Sequence, residues 1–125
     1  MHLLYTNDLH NQVGPLTHMG RWLKPESLLL DGGDAIRGSN TSWCWEEPIL
    51  QWMRRLGYAA MAMGNREFHY FRWVQRWREQ EREFPLLACN LEDLFDHRTS
   101  FRPWVTVRRG DVRVAVVGTT PVQYP

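Results

Sequence analysis

At 125 residues the chain has room for one modest domain, and its 43% hydrophobic and 23% charged residues are the make-up of a soluble globular fold with a core of its own. A formal net charge of +1 gives no overall attraction for nucleic acid or anionic lipid, and no apolar run approaches the ~20 residues of a membrane span, so neither a nucleic-acid polymer nor a membrane is expected as a partner. The N-terminus lacks the charged region, apolar stretch and cleavage site of a secretory signal, which sets the expected location as cytoplasmic.

In chain order, Leu3–Thr6 reads as a strand and Leu16–Leu23 as a short helix. Leu28-Leu29-Leu30 lies within Ser27–Asp31, a continuous apolar run of the kind that is buried on both faces of a parallel sheet. Gly32-Gly33 stops it. Cys44–Leu56 is predicted as a helix because Ile49, Trp52, Met53 and Leu56 recur at the spacing of one buried face, with Gly57 as its C-terminal stop. Tyr58–Met63 is the third strand, Phe68–Glu83 the next helix and Leu86–Cys89 the fourth strand. Trp104–Arg109 and Val112–Val117 flank Gly110-Asp111, a hairpin signal. Seven tryptophans are many for this length. Trp43, Trp45, Trp73 and Trp77 are expected in packing or an interface rather than in substrate stacking. Cys44 and Cys89 make no disulfide framework or zinc spacing and are expected as buried free thiols.

Strand, helix, strand, helix, strand implies an α/β fold with parallel strands joined by crossovers. Ligands in such sheets gather beyond the carboxyl ends of the strands. Here those ends carry Asn7-Asp8-Leu9-His10, then Gly32-Gly33-Asp34, then Gly64-Asn65-Arg66-Glu67, then Asn90. Each residue alone is more commonly a turn former or cap than a ligand. Together they supply carboxylate, amide and imidazole donors suited to a hard or borderline divalent metal. Two such metals can bind a phosphate ester and activate water, and Asp34, after the tight glycine turn, is the natural bridging carboxylate.

YTNDLH, LLLDGGDAIRGS, MGNREF, LLACNL and VAVVGTTP stand in that order, each keyed to a predicted strand. From Leu3 to Pro121 this series resembles the motifs of calcineurin-like metallophosphoesterases, most closely the 5′-nucleotidase branch. The resemblance implies an α/β/β/α sandwich, of which residues 1–125 form the N-terminal part of the catalytic domain, ending in the β-hairpin. It also implies two divalent ions (Mn, Fe, Zn or similar), with Asp8 and His10 on the first, Asp34 bridging both and Asn65 on the second. Gly33, Gly38, Ser39 and Gly64 match positions that shape the loops. The implied reaction is in-line attack of activated water on a phosphate ester or nucleotide, without a covalent enzyme intermediate.

The sequence departs from the family at three places. The histidines that complete both metal sites come from a C-terminal half that has no counterpart before Pro125, so the chain alone is expected to bind metal weakly and turn over little. His2, His18 and His97 match no motif and are expected at the surface. Arg66 stands where the family has histidine, and His69 where its acidic partner stands. One interpretation is a site no longer used. The other is a variant catalytic pair: Arg66 holds phosphoryl charge through its fork of donors, and His69 exchanges protons near neutral pH. Arginine stays protonated, so such a site suits leaving groups that need little protonation. Asn11 stands where glycine is usual. The alternative function is a non-catalytic phosphate- or anion-binding module that keeps the fold.

Overall fold

The computed structural model describes residues 1–37, 47–69, 82–92, 97 and 101–121, with the side chains of 68 and 69 left aside. The order is β1 (His2–Thr6), α1 (Gly14–Met19) with a 3-10 turn at Gly20–Trp22, β2 (Ser27–Asp31), α2 (Pro48–Leu56), β3 (Ala60–Ala62), a 3-10 turn at Arg66–His69, β4 (Leu86–Leu87), β5 (Trp104–Arg109) and β6 (Val112–Val117). β1 to β4 form one parallel sheet in the order of the chain, and β5 and β6 form a separate antiparallel hairpin. The α/β class, the parallel units and the C-terminal hairpin are therefore as the sequence predicts.

The apolar run of β2 becomes an interior strand, with Leu28 and Leu29 almost fully buried. Strand alternation sends Leu4, Leu29, Met61 and Leu86 to one face, where they meet Leu16 of α1 and Ile49 and Met53 of α2. Trp52 and Leu56 pack partly buried against that core, which completes the predicted stripe of α2. The other face is open at its β1 edge. Leu3 is 58% exposed and Tyr5 61% exposed, and a groove of about 240 Å³ runs between Tyr5, Leu30, Ala62, Leu87 and Val117. Among the described residues no helix is long and apolar enough to cross a membrane.

Several boundaries differ from expectation. The first helix begins earlier, at Gly14 with Pro15 in its first turn, and ends at Met19, where the chain tightens into the 3-10 turn. Proline also opens α2 at Pro48, while residues 44–46 of the predicted helix lie outside the described residues. Gly57 ends α2 with φ 78°, its amide bonding back to the Arg54 and Met53 carbonyls, as predicted for a glycine stop. β3 and β4 are shorter than Tyr58–Met63 and Leu86–Cys89, although the Met63 amide still donates to the Leu87 carbonyl at 3.0 Å and the Cys89 amide to the Gly118 carbonyl at 2.8 Å. Most of the predicted helix Phe68–Glu83 lies outside the described residues, as do Gly38, Ser39, Cys44, Trp43, Trp45, Trp73 and Trp77. The hairpin has the predicted two-residue loop, with Gly110 at φ 57°. Cys89 is a free thiol but only half-buried.

Candidate metal centre

The loops after β1 and β2 run side by side as an extension of the sheet. The Asp8 amide donates to the Gly33 carbonyl at 3.0 Å, His10 to Asp34 at 3.0 Å, and Asn11 to Ala35 at 2.7 Å. To keep that ladder while turning its side chains together, the loop adopts left-handed backbone at Asp8 (φ 55°), His10 (φ 46°) and Asn11 (φ 63°), opposite Asp34 (φ 55°). Non-glycine residues take this conformation at an energetic cost, and such residues cluster at functional sites.

The outcome is a convergent cluster. One ligand atom each of Asp8, His10 and Asp34 lies within 4.8 Å of the others. His10 Nε2 is 3.5 Å from Asp8 Oδ1. Asp8 is exposed and the other two are half-buried, so the cluster opens to solvent. Two carboxylates and an imidazole fit a divalent cation of the hard or borderline kind, and three protein donors leave coordination positions for water or substrate.

The other predicted residues fall around this cluster in different ways. Asn65 sits in the turn after β3, between two residues that both touch Asp34. A Cβ on Gly64 would lie 2.4 Å from the Asp34 nitrogen and from its Oδ1. The Arg66 amide donates to Asp34 Oδ1 at 2.8 Å. The Arg66 guanidinium donates to the Arg37 carbonyl. His69 closes the 3-10 turn, and its side chain lies outside what is described. Asn90, at the fourth strand end, is employed structurally: its amide group donates to the Thr120 carbonyl at 2.8 Å and accepts from the Thr120 amide at 2.9 Å. His2, His18 and His97 are exposed, as expected.

Two acidic residues escaped assignment from sequence. Glu67 is 3% exposed, and its Oε2 accepts from the amides of Gly64 (2.8 Å) and Asp34 (3.0 Å), with the Ile36 amide aimed at the same carboxylate. Burial pushes its carboxyl up to about 7. Asp31 is also 3% exposed. It accepts from the Thr6 hydroxyl at 2.6 Å and the Gly33 amide at 2.8 Å. Burial pushes it up to about 6, and nearby Asp8 and Asp34 add to the rise. Tyr58 completes this buried network, its hydroxyl 2.9 Å from Thr6 Oγ1, and burial raises its phenol to about 12. The signal for Asp31 was present: a charged residue closes an otherwise apolar run.

No family model matches the chain. Its fold is that of the calcineurin-like phosphoesterases: it superposes on YfkN of Bacillus subtilis, so described, with a TM-score of 0.75 over 95% of this chain and 48% of that one, at 21% identity. In sequence it is a relative of 5′-nucleotidases and matches their N-terminal portion. It is 39% identical over 94 residues to the protein UshA of Escherichia coli and 34% identical over 94 residues to a 5′-nucleotidase of Vibrio parahaemolyticus. Each match takes in 74% of this chain and 17% of the relative, so the chain corresponds to a small part of the curated proteins it resembles.

Proposed function

We propose that this chain contributes the first metal-binding loops of a phosphoesterase that hydrolyses phosphate esters of the nucleotide class. The convergence of Asp8, His10 and Asp34 within 4.8 Å, on left-handed backbone at all three, carries this reading. Asp8, His10 and Asp34 would hold a divalent cation, and Asp34 with Asn65 would offer donors to a second. When bound, such a pair supplies Lewis-acid charge and an acidified water. The residues of the chain do the rest. The Arg66 amide fixes one oxygen of Asp34. Its guanidinium, tethered at Arg37, offers charge to the phosphoryl oxygens, and His69 is the proton exchanger that the sequence supplies.

The arginine at position 66 also favours a second reading, an anion-binding module without turnover, because a guanidinium binds phosphate well and donates protons poorly. Metal-dependent phosphate release by the protein as the cell makes it, wild type against Asp34→Asn, separates the two. Release that disappears in the variant supports hydrolysis. Inorganic phosphate binding that persists or strengthens in the variant, with no release from either form, supports the module.

A further inference from the structure

The turn after β3 grips Asp34 from three sides, and the grip centres on a residue with no assigned role. Gly33 and Gly64 bring the two loops into backbone contact: a Cβ on Gly33 would lie 2.5 Å from the Gly64 nitrogen, and a Cβ on Gly64 would lie 2.4 Å from the Asp34 nitrogen. At that spacing the amides of Asp34 and Gly64 point into one small space. Glu67 fills it, and a single oxygen, Oε2, accepts from both at 3.0 and 2.8 Å. The bond to Asp34 spans 33 residues of sequence, while that to Gly64 spans only three. Glu67 is therefore a side-chain tie between the loop that carries Asp34 and the turn that carries Asn65, beside the backbone bond from the Arg66 amide to Asp34 Oδ1.

We infer that Glu67 is a positioning residue: by bridging the Asp34 and Gly64 amides it fixes where Asp34 and Asn65 stand relative to one another. The inference rests on the reading of those two residues as ligands for its functional meaning, but the tie itself is independent of any metal. Reach, not charge, is what the tie requires. A glutamine keeps the oxygen at the same distance along the side chain. An aspartate keeps the charge but is one methylene short of two amides that a single oxygen must meet together.

The test compares Glu67→Gln with Glu67→Asp in the chain, by amide hydrogen exchange at Asp34 and Gly64 and by calorimetric titration with Mn²⁺, with far-UV circular dichroism as a check on folding. The expected result is protection of both amides in wild type and Glu67→Gln, and a loss of roughly tenfold or more in Glu67→Asp. Mn²⁺ affinity is expected to follow the same order. Two outcomes overturn the inference: Glu67→Asp as protected as wild type, or Glu67→Gln losing protection or Mn²⁺ affinity, since either makes charge the operative property. If wild type takes up no Mn²⁺ while the exchange pattern stands, the metal reading fails and the tie survives. The two failures are thus distinguishable.

Discussion

Arg66 holds Asp34 through its backbone and not through its side chain: the Arg66 amide donates to Asp34 Oδ1 at 2.8 Å, while the guanidinium reaches away to the Arg37 carbonyl. Any residue except proline can make the first bond. A change of side chain at position 66 therefore leaves the aim of Asp34 intact. Arg66→Ala is expected to keep Mn²⁺ affinity within about threefold while inorganic phosphate affinity falls about tenfold, the scale of one charge-assisted contact. Parallel titrations with the two probes check this. A large loss of Mn²⁺ affinity would show that the side chain, too, shapes the ligand set.

Asp31 makes stability depend on pH. Its folded carboxyl lies near 6, above the 3.8 of the unfolded chain, so the native state holds the proton more tightly. The stability this contributes is fully present below about pH 4 and is lost as pH rises through about 6. Asp31→Asn mimics the protonated form and keeps an oxygen for the Gly33 amide. It is expected to match wild type near pH 4 and to exceed it by on the order of 3 kcal/mol at pH 8, read from urea unfolding at the two pH values.

Asn11 caps a helix it is remote from in sequence. Its Oδ1 accepts from the Ile49 amide, in the first turn of α2, at 3.1 Å, where Glu47 gives no side-chain cap. Asn11→Ala removes the cap and leaves a Cβ at φ 63°, and is expected to cost roughly 1–2 kcal/mol. Asn11→Gly also removes the cap but relieves the backbone, and is expected to cost only a few tenths of a kcal/mol. Chemical denaturation of the pair reads the difference. Asn11 thus tolerates a left-handed turn and adds a tertiary bond.

Gly33 combines φ 104° with a backbone neighbour 2.5 Å from where a Cβ would stand. Gly33→Ala must move one loop off the other. A cost of roughly 3 kcal/mol or more is expected, together with loss of Mn²⁺ binding, because the shift separates Asp34 from its supports. Thermal unfolding and titration of the variant measure both effects.

The strand-to-loop grammar was legible in the sequence. Leu28-Leu29-Leu30 announced a buried strand, the β5–β6 pairing followed from its turn residues, and the Asp8, His10 and Asp34 motifs stood where a parallel sheet collects ligands. Helix limits were less legible, since Pro15 and Pro48 fix starts by their ring geometry and not by apolar period. Asn90 showed the limit of composition: a ligand-capable amide at a strand end is spent on the Thr120 backbone instead.

The sequence by itself determined the class of fold, the succession of strands along the chain and the identity of the residues at their carboxyl ends, because those depend on local periodicity and on glycine and proline chemistry. Only the tertiary structure decided what holds them. The Glu67 tie to Asp34, the Asn11 cap on α2 and the buried Asp31–Thr6–Tyr58 network all join residues distant in the chain. No spacing rule encodes such contacts. They exist because two loops are pressed into backbone contact, and the polar groups buried there must find partners.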